Sequence, residues 1–337
     1  MLILRHDGLH WNYSKLGWSN TFLPITKCSY SVIAESGDSE IPWSSVTSNA
    51  NDKVVHLPIV DSLRDRPKFL PLAIPKSLSS RLITLHSYPP VFFISQFMRY
   101  LMRPANKTAA LIAKAAAKID FTKGPIVGLQ IRRTDKIGVE AAYHSVDEYM
   151  KWTERWFKIE EYRSGKPVAR KIFIASDDPT VFAEARMNYP NYTVYGDPEI
   201  AQSAGLSSRY TIDSLNGIII DVELLSRCSY LVCTFSSQVC RLGYELMQHR
   251  VGDAGDQYHS LDDIYYYGGQ LEHSEIAVES YKAENNEEID LEVGDEIGIA
   301  GNHWNGFSKG VNKRTSKVGL YPSYKTIEKW RIVDFPI

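Results

Sequence analysis

The sequence predicts an α/β protein: a parallel sheet with helices on both faces, preceded by an irregular segment and followed by a small all-β unit. Three observations carry this expectation. From Gly124 onward, strand-length apolar runs alternate with helical patterns, as in consecutive βαβ units. Three of those runs stop abruptly at polar residues: Arg132-Arg133, Asp177-Asp178 and Ser236-Ser237-Gln238. After about Gly268 the helical period disappears, and short alternating strands with glycine-containing turns replace it.

Residues 1–108 are irregular by pattern. Residues 56–75 carry four prolines and cannot form one regular element. Helical signal begins near Pro90, where Phe93, Ile94, Phe97, Met98 and Leu101 recur at spacings of three and four. An alanine-rich helix follows from Asn106. Pro125 to Ile131 then forms a buried strand that ends at the arginine pair. Ser145 with Glu148 three residues on is a capping box opening the next helix. Lys171 to Ser176 is the second strand, and Asp178-Pro179 starts a helix running to about Asn188. Residues 193–197 form a short third strand. Leu215, Ile218, Ile219, Val222 and Leu225 share one face of a helix. Residues 230–249 are a strand that turns directly into a helix at Ser236 and Ser237.

Composition narrows the function. The hydrophobic fraction is 44% and the charged fraction 23%, ordinary for a folded globular chain of 337 residues. Net charge is −2, which argues against an extended nucleic-acid surface. No apolar run reaches the roughly 18 residues of a membrane span. The start, MLILRHDGLHW, lacks the pattern of a secretory leader. Cys28, Cys228, Cys233 and Cys240 show no C-x-x-C spacing. Sequons at Asn12, Asn106 and Asn191 permit a secretory location without requiring it.

In a parallel sheet the three polar strand ends share one edge, where α/β proteins bind ligands. Two guanidiniums are fixed forks of donors suited to a diphosphate. The helix opened by Ser237 and Gln238 points its N–H groups and its dipole at the same place. There is no G-x-G-x-x-G, no P-loop and no D-x-D, so charge neutralisation by arginine is expected in place of a metal. Plainer explanations exist for each residue. The arginines could be an exposed pair, Asp178 and Ser236 helix caps, and His303 a surface-loop residue. Asp221, mid-helix among apolar residues, implies a ligand or a buried partner.

The last sixty or so residues resemble an SH3 domain, through Ala277–Tyr281, Leu291, Gly294, Trp304 and GLYPSY at 319–324. Glu279 stands where peptide-binding members usually carry a tyrosine, which argues against a Pro-rich peptide groove. With VGLQIRRTDKIGVEAAYHSVDEYM, IASDDP, SAGLSSRYTIDSL, FSSQVCR and HSLDDIYYYGGQ, the chain resembles the eukaryotic α1,6-fucosyltransferases of glycosyltransferase family 23, from about Leu2 to Lys325.

The resemblance implies a Rossmann-like, GT-B-like domain at 109–268, after a remnant of the front of the catalytic region at 1–108 and before an SH3-like domain at 269–337. It implies metal-independent, inverting transfer of fucose from GDP-fucose to O6 of the innermost GlcNAc of N-glycans. No cofactor is expected. By the same resemblance Arg132 holds the diphosphate with Arg133 beside it, and Ser237 and Gln238 complete the cradle. Asp221 reads guanine, and Gln130 takes the place of the family's histidine there. Glu140 is the base and Lys136 its neighbour. Asp177 and Asp178 are acids needed for activity, Tyr149 belongs to the site, and His303 faces the glycan. Cys233 is bridged to Cys240, whereas Cys28 lacks its family partner. The family's Golgi location, membrane anchor, helical stem and homodimer are further implications, and the anchor and stem are absent from this chain. An inactive relative whose SH3 unit serves interaction, or an enzyme with another acceptor, are the alternatives.

Overall fold

A computed structural model describes residues 17–27, 41–42, 55–56, 73–134, 142–262, 264–267, 274–302 and 306–334. Its centre is a five-stranded parallel sheet: β4 (Val127–Ile131), β5 (Lys171–Ser176), β6 (Thr193–Tyr195), β7 (Tyr230–Cys233) and β8 (Tyr258–Ser260). The strand order is β6-β5-β4-β7-β8. Sequence order therefore reverses between β4 and β7, and a crevice opens beyond their carboxyl ends.

Both faces are covered. α4 (Val146–Ser164) and α5 (Thr180–Asn188) close one face over Val127, Leu129, Ile131, Ile172, Ile174 and Val232. The other face, with Ile126, Phe173, Ala175, Leu231 and Cys233, is covered by α7 (Ile212–Leu225) and α8 (Gln238–Val251). Behind these lie α2 (Pro89–Leu101) and α3 (Asn106–Ala116). Because successive strand residues point to opposite faces, all five residues of β4 are buried. The predicted capping box is formed: Glu148 N–H donates to Ser145 Oγ, and Ser145 N–H to Glu148 Oε1.

Gly128 sets the spacing of α7 from the sheet. A Cβ there would lie 3.0 Å from Leu225 Cδ2 at the end of α7 and 2.8 Å from Leu231 Cδ2 on β7. Gly217 does the same between α7 and the short helix α6 (Pro198–Ser203), where a Cβ would come within 2.9 Å of Ile200. Close packing at these two glycines brings α6 and α7 over the strand ends.

Segments that the sequence left unassigned are ordered here. β3 (Ala73–Pro75) leads into α1 (Lys76–Leu85) and pairs in parallel with β14 (Arg331–Val333) near the end of the chain. Trp330, just before β14, packs against the core of the parallel-sheet unit. The predicted all-β region contains a five-stranded antiparallel sheet, β12-β11-β10-β9-β13, with a small core of Ala277, Ile289, Leu291, Ile297 and Tyr321. Its strands are β9 (Ser274–Ala277), β10 (Glu296–Asn302), β11 (Phe307–Asn312), β12 (Lys317–Pro322) and β13 (Thr326–Glu328). Two further two-residue strands, β1 (Ile41–Pro42) and β2 (Val55–His56), pair with each other.

α8 carries a buried acid. Glu245 accepts from the Tyr265 hydroxyl at 2.7 Å and is 6% exposed. Burial pushes its carboxyl up to about 7, against the opposing pull of Tyr265 and Arg241. A carboxyl raised on folding stabilises the fold fully below its unfolded pKa, and that contribution is lost as pH rises through about 7. Urea unfolding between pH 5 and 8.5 is expected to show roughly 3 kcal/mol lost from this group. Glu245→Gln flattens that slope.

Candidate active site

The site grows from the ends of β4 and β5. Gln130 and Arg132 are two residues apart and so share the face on which α7 packs, while Ile131 faces the opposite core. Beyond the last ladder pair, Ile131 with Ser176, the two chains are tied by Asp177. Its Oδ1 accepts from Arg133 N–H at 2.8 Å, and its Oδ2 accepts from Thr134 N–H at 3.3 Å and from the Thr134 hydroxyl. Arg132 Nε lies 3.2 Å from the same Oδ2. With 9% exposure, Asp177 is a buried anchor that aims Arg132.

The arginine pair splits. Arg132 lines a cavity of 250 Å³ together with Gln130, Asp177, Arg209, Tyr210 and Asp221. Arg133 turns to the other face, where its guanidinium lies 4.4 Å from the centre of the Tyr143 ring, donates to the Tyr143 hydroxyl and sits 3.6 Å from Glu184. Asp178 does not line the cavity. Its Oδ1 accepts from the Thr180 N–H at 2.9 Å and the Thr180 hydroxyl at 2.7 Å, a local Asx-type turn leading into α5.

Asp221 reaches the cavity from α7. Burial, reinforced by the charge of Asp197, raises its carboxyl well above the usual range. Beside it, Gln130 is 4% exposed, and its Oε1 has no hydrogen-bond partner. A buried amide oxygen without a donor costs free energy that a ligand N–H recovers.

The third strand end lies next to β4. Ser236 is bound up with Asp262, through its N–H at 3.3 Å and through its hydroxyl. Ser237 is the N-cap of α8, yet its side chain makes no cap bond and its buried Oγ has no partner. Gln238 opens the helix, and Val239 closes the cavity wall. Cys233 and Cys240 form a disulfide across this turn, with Cα atoms 6.1 Å apart. Tyr149, 1% exposed, lies beneath the edge, where burial raises its hydroxyl and Asp262, Arg133 and Thr234 act on it.

Lys136, Glu140, His303 and Cys28 lie outside the described residues. Arg209, Tyr210 and Asp262 were not assigned from the sequence. Arg209 and Tyr210 stand just before Thr211, the cap of α7, in a stretch that reads locally as a polar loop. Among the described residues, no helix is long and apolar enough to cross a membrane.

A family model described as the N- and catalytic domains of α-(1,6)-fucosyltransferase matches residues 1–266. An α-(1,6)-fucosyltransferase of Caenorhabditis elegans is 55% identical over 99% of this chain and 59% of its own length. One of Drosophila melanogaster is 46% identical over the whole of this chain and 53% of its own length. The chain thus spans a little more than half the length of these relatives. A crystal structure of the NodZ α-1,6-fucosyltransferase soaked with GDP-fucose is 19% identical over 45% of this chain and 47% of that one, with a TM-score of 0.30, a likeness too slight to carry an argument.

Proposed function

The chain belongs to the α-(1,6)-fucosyltransferase family, and from that premise we propose that it transfers fucose from GDP-fucose to O6 of the innermost GlcNAc of an N-glycan. One observation carries the reading: a single cavity gathers an arginine, a buried carboxyl and a partnerless amide oxygen. The acid–amide end suits guanine, whose N1–H and N2–H₂ are adjacent donors. Ionised Asp221 accepts from both. The arginine end suits the diphosphate, with the α8 N-terminus and the Ser237 hydroxyl closing the cradle from β7.

Transfer with inversion needs a base on the acceptor hydroxyl while GDP departs from the opposite side. Glu140 is assigned that proton, with Lys136 holding the carboxylate ionised. Asp177 acts through Arg132. The antiparallel unit is assigned as an SH3-like module at 269–337, and His303 as its contribution to glycan recognition. The parallel-sheet unit is assigned to 109–268, with 1–108 as the front of the catalytic region. A Golgi location and a homodimer follow from the family reading alone.

The direct test is fucose transfer from GDP-fucose to a biantennary glycopeptide ending in GlcNAc. No turnover together with tight GDP binding would sink the enzyme reading and leave a nucleotide-binding relative. Asp221 adds a pH signature. In the free protein its carboxyl is held towards the neutral form, whereas guanine selects the carboxylate. GDP binding therefore expels a proton, and affinity falls as pH drops below the raised pKa of the free site. Calorimetry in buffers of different ionisation enthalpy reads the proton, and Asp221→Asn abolishes both the release and the slope.

A further inference from the structure

The cavity holds a second guanidinium. We propose that Arg209 is the second cation of the diphosphate clamp and grips the β-phosphate that departs with the nucleotide. The proposal deepens the GDP reading above and rests on it.

Arg209 and Arg132 line the same cavity, one from the loop between α6 and α7, the other from the end of β4. Arg209 Nη2 donates to Thr134 Oγ1 at 3.3 Å and to the Ala204 carbonyl at 3.5 Å. Thr134 is fixed in turn by Asp177. The head of Arg209 is therefore tethered to the peptide that carries Arg132. Its backbone is fixed as well. Arg209 N–H donates to Gly205 O at 3.0 Å, and the Thr211 hydroxyl donates to Ser208 O at 2.9 Å just before α7 begins.

Two cations and two acids line the cavity, but they do not cancel. Asp177 is engaged by Arg132, Arg133 and Thr134. Asp221 is committed to the guanine N–H groups in the complex proposed above, so neither acid is directed at the phosphates. The two guanidiniums of the lining are matched by a diphosphate and not by a neutral nucleoside. During transfer the fucose C1–O bond breaks, and its electron pair stays on the β-phosphate oxygen. The acceptor oxygen bonds to C1 and its proton passes to the base. GDP thus leaves with one more negative charge than it had in the donor. A planar fork supported on Thr134 meets that charge with little rearrangement.

The test compares guanosine, GMP and GDP binding to the full chain and to Arg209→Ala and Arg209→Lys, by calorimetry. Arg209→Ala is expected to weaken GDP by about tenfold or more, to leave guanosine and GMP within about twofold, and so to shrink the preference for GDP over GMP. Arg209→Lys keeps part of that preference because charge remains while the fork is lost. Equal weakening of all three ligands would mean that Arg209 only shapes the loop, and unchanged GDP affinity would place it outside the clamp. Either result overturns the proposal. Should Arg209→Ala not fold, Arg209→Gln gives the same comparison. Wild-type protein that binds ADP as tightly as GDP overturns the guanine reading instead, and the diphosphate-over-monophosphate ratio still judges Arg209.

Discussion

Arg132→Ala is expected to lower the proposed transfer from GDP-fucose by about 10²–10³-fold, on the order of 3–4 kcal/mol of barrier, and to leave the fold intact. Its side chain is 21% exposed, on the cavity side of the β4 end. The Asp177 carboxylate that fixes it keeps its bonds to Arg133 N–H and to Thr134 when the arginine is gone. The loss should appear in kcat more than in KM for the acceptor, because leaving-group charge rises only as the C1–O bond breaks. Arg132→Lys restores part of the rate: it returns the charge without the two-pronged geometry. Steady-state kinetics on the three proteins, beside their urea midpoints, checks this. A rate within threefold of wild type for the alanine variant would remove Arg132 from the clamp.

Asp177→Ala is expected to be worse for the protein as a whole. It strips the acceptor from two backbone N–H groups and one hydroxyl and the counter-charge from one guanidinium at once. Removing one partner of such a buried cluster costs about 3–5 kcal/mol, and Arg132 and Thr134 lose their common anchor. The variant should show a lowered urea midpoint and transfer at least as poor as that of Arg132→Ala. Asp177→Asn separates the two effects. Its carbonyl still accepts from the Arg133 N–H, but its amide group cannot hold Arg132. Stability should recover more than activity. Full activity in Asp177→Asn would show that the carboxylate's charge is dispensable.

Much of this was legible in the chain. The capping box of α4, the strand ending at Ile131 and the turn at Ser236 are local features, fixed by side-chain spacing and cap chemistry over a few residues. Asp221 announced itself because a carboxyl inside an apolar helix must have a purpose. The division of labour between Arg132 and Arg133 was not legible. Adjacent residues at a strand end face opposite ways, but only the packing says which way holds the cavity. Asp178 already reads in sequence as the start of a helix, and its carboxylate does bind Thr180 there, whereas the anchoring of the neighbouring strand end by Asp177 has no local signature. β3, β8 and β14 went unread because three-residue strands have no period to detect, and β3 finds its partner more than 250 positions away in β14.

The sequence by itself determined the order of the longer strands and helices, the three polar strand ends and the residue types offered there. These follow from apolar periodicity and capping, which act between near neighbours along the chain. Tertiary structure alone decided which of the offered groups meet. Gln130, Arg132, Arg209 and Asp221 come from three separate segments. They share one cavity because the order reversal between β4 and β7 opens an edge, and because Gly128 and Gly217 let α6 and α7 close over it. That convergence depends on close packing between elements far apart in the chain, and no local pattern encodes it.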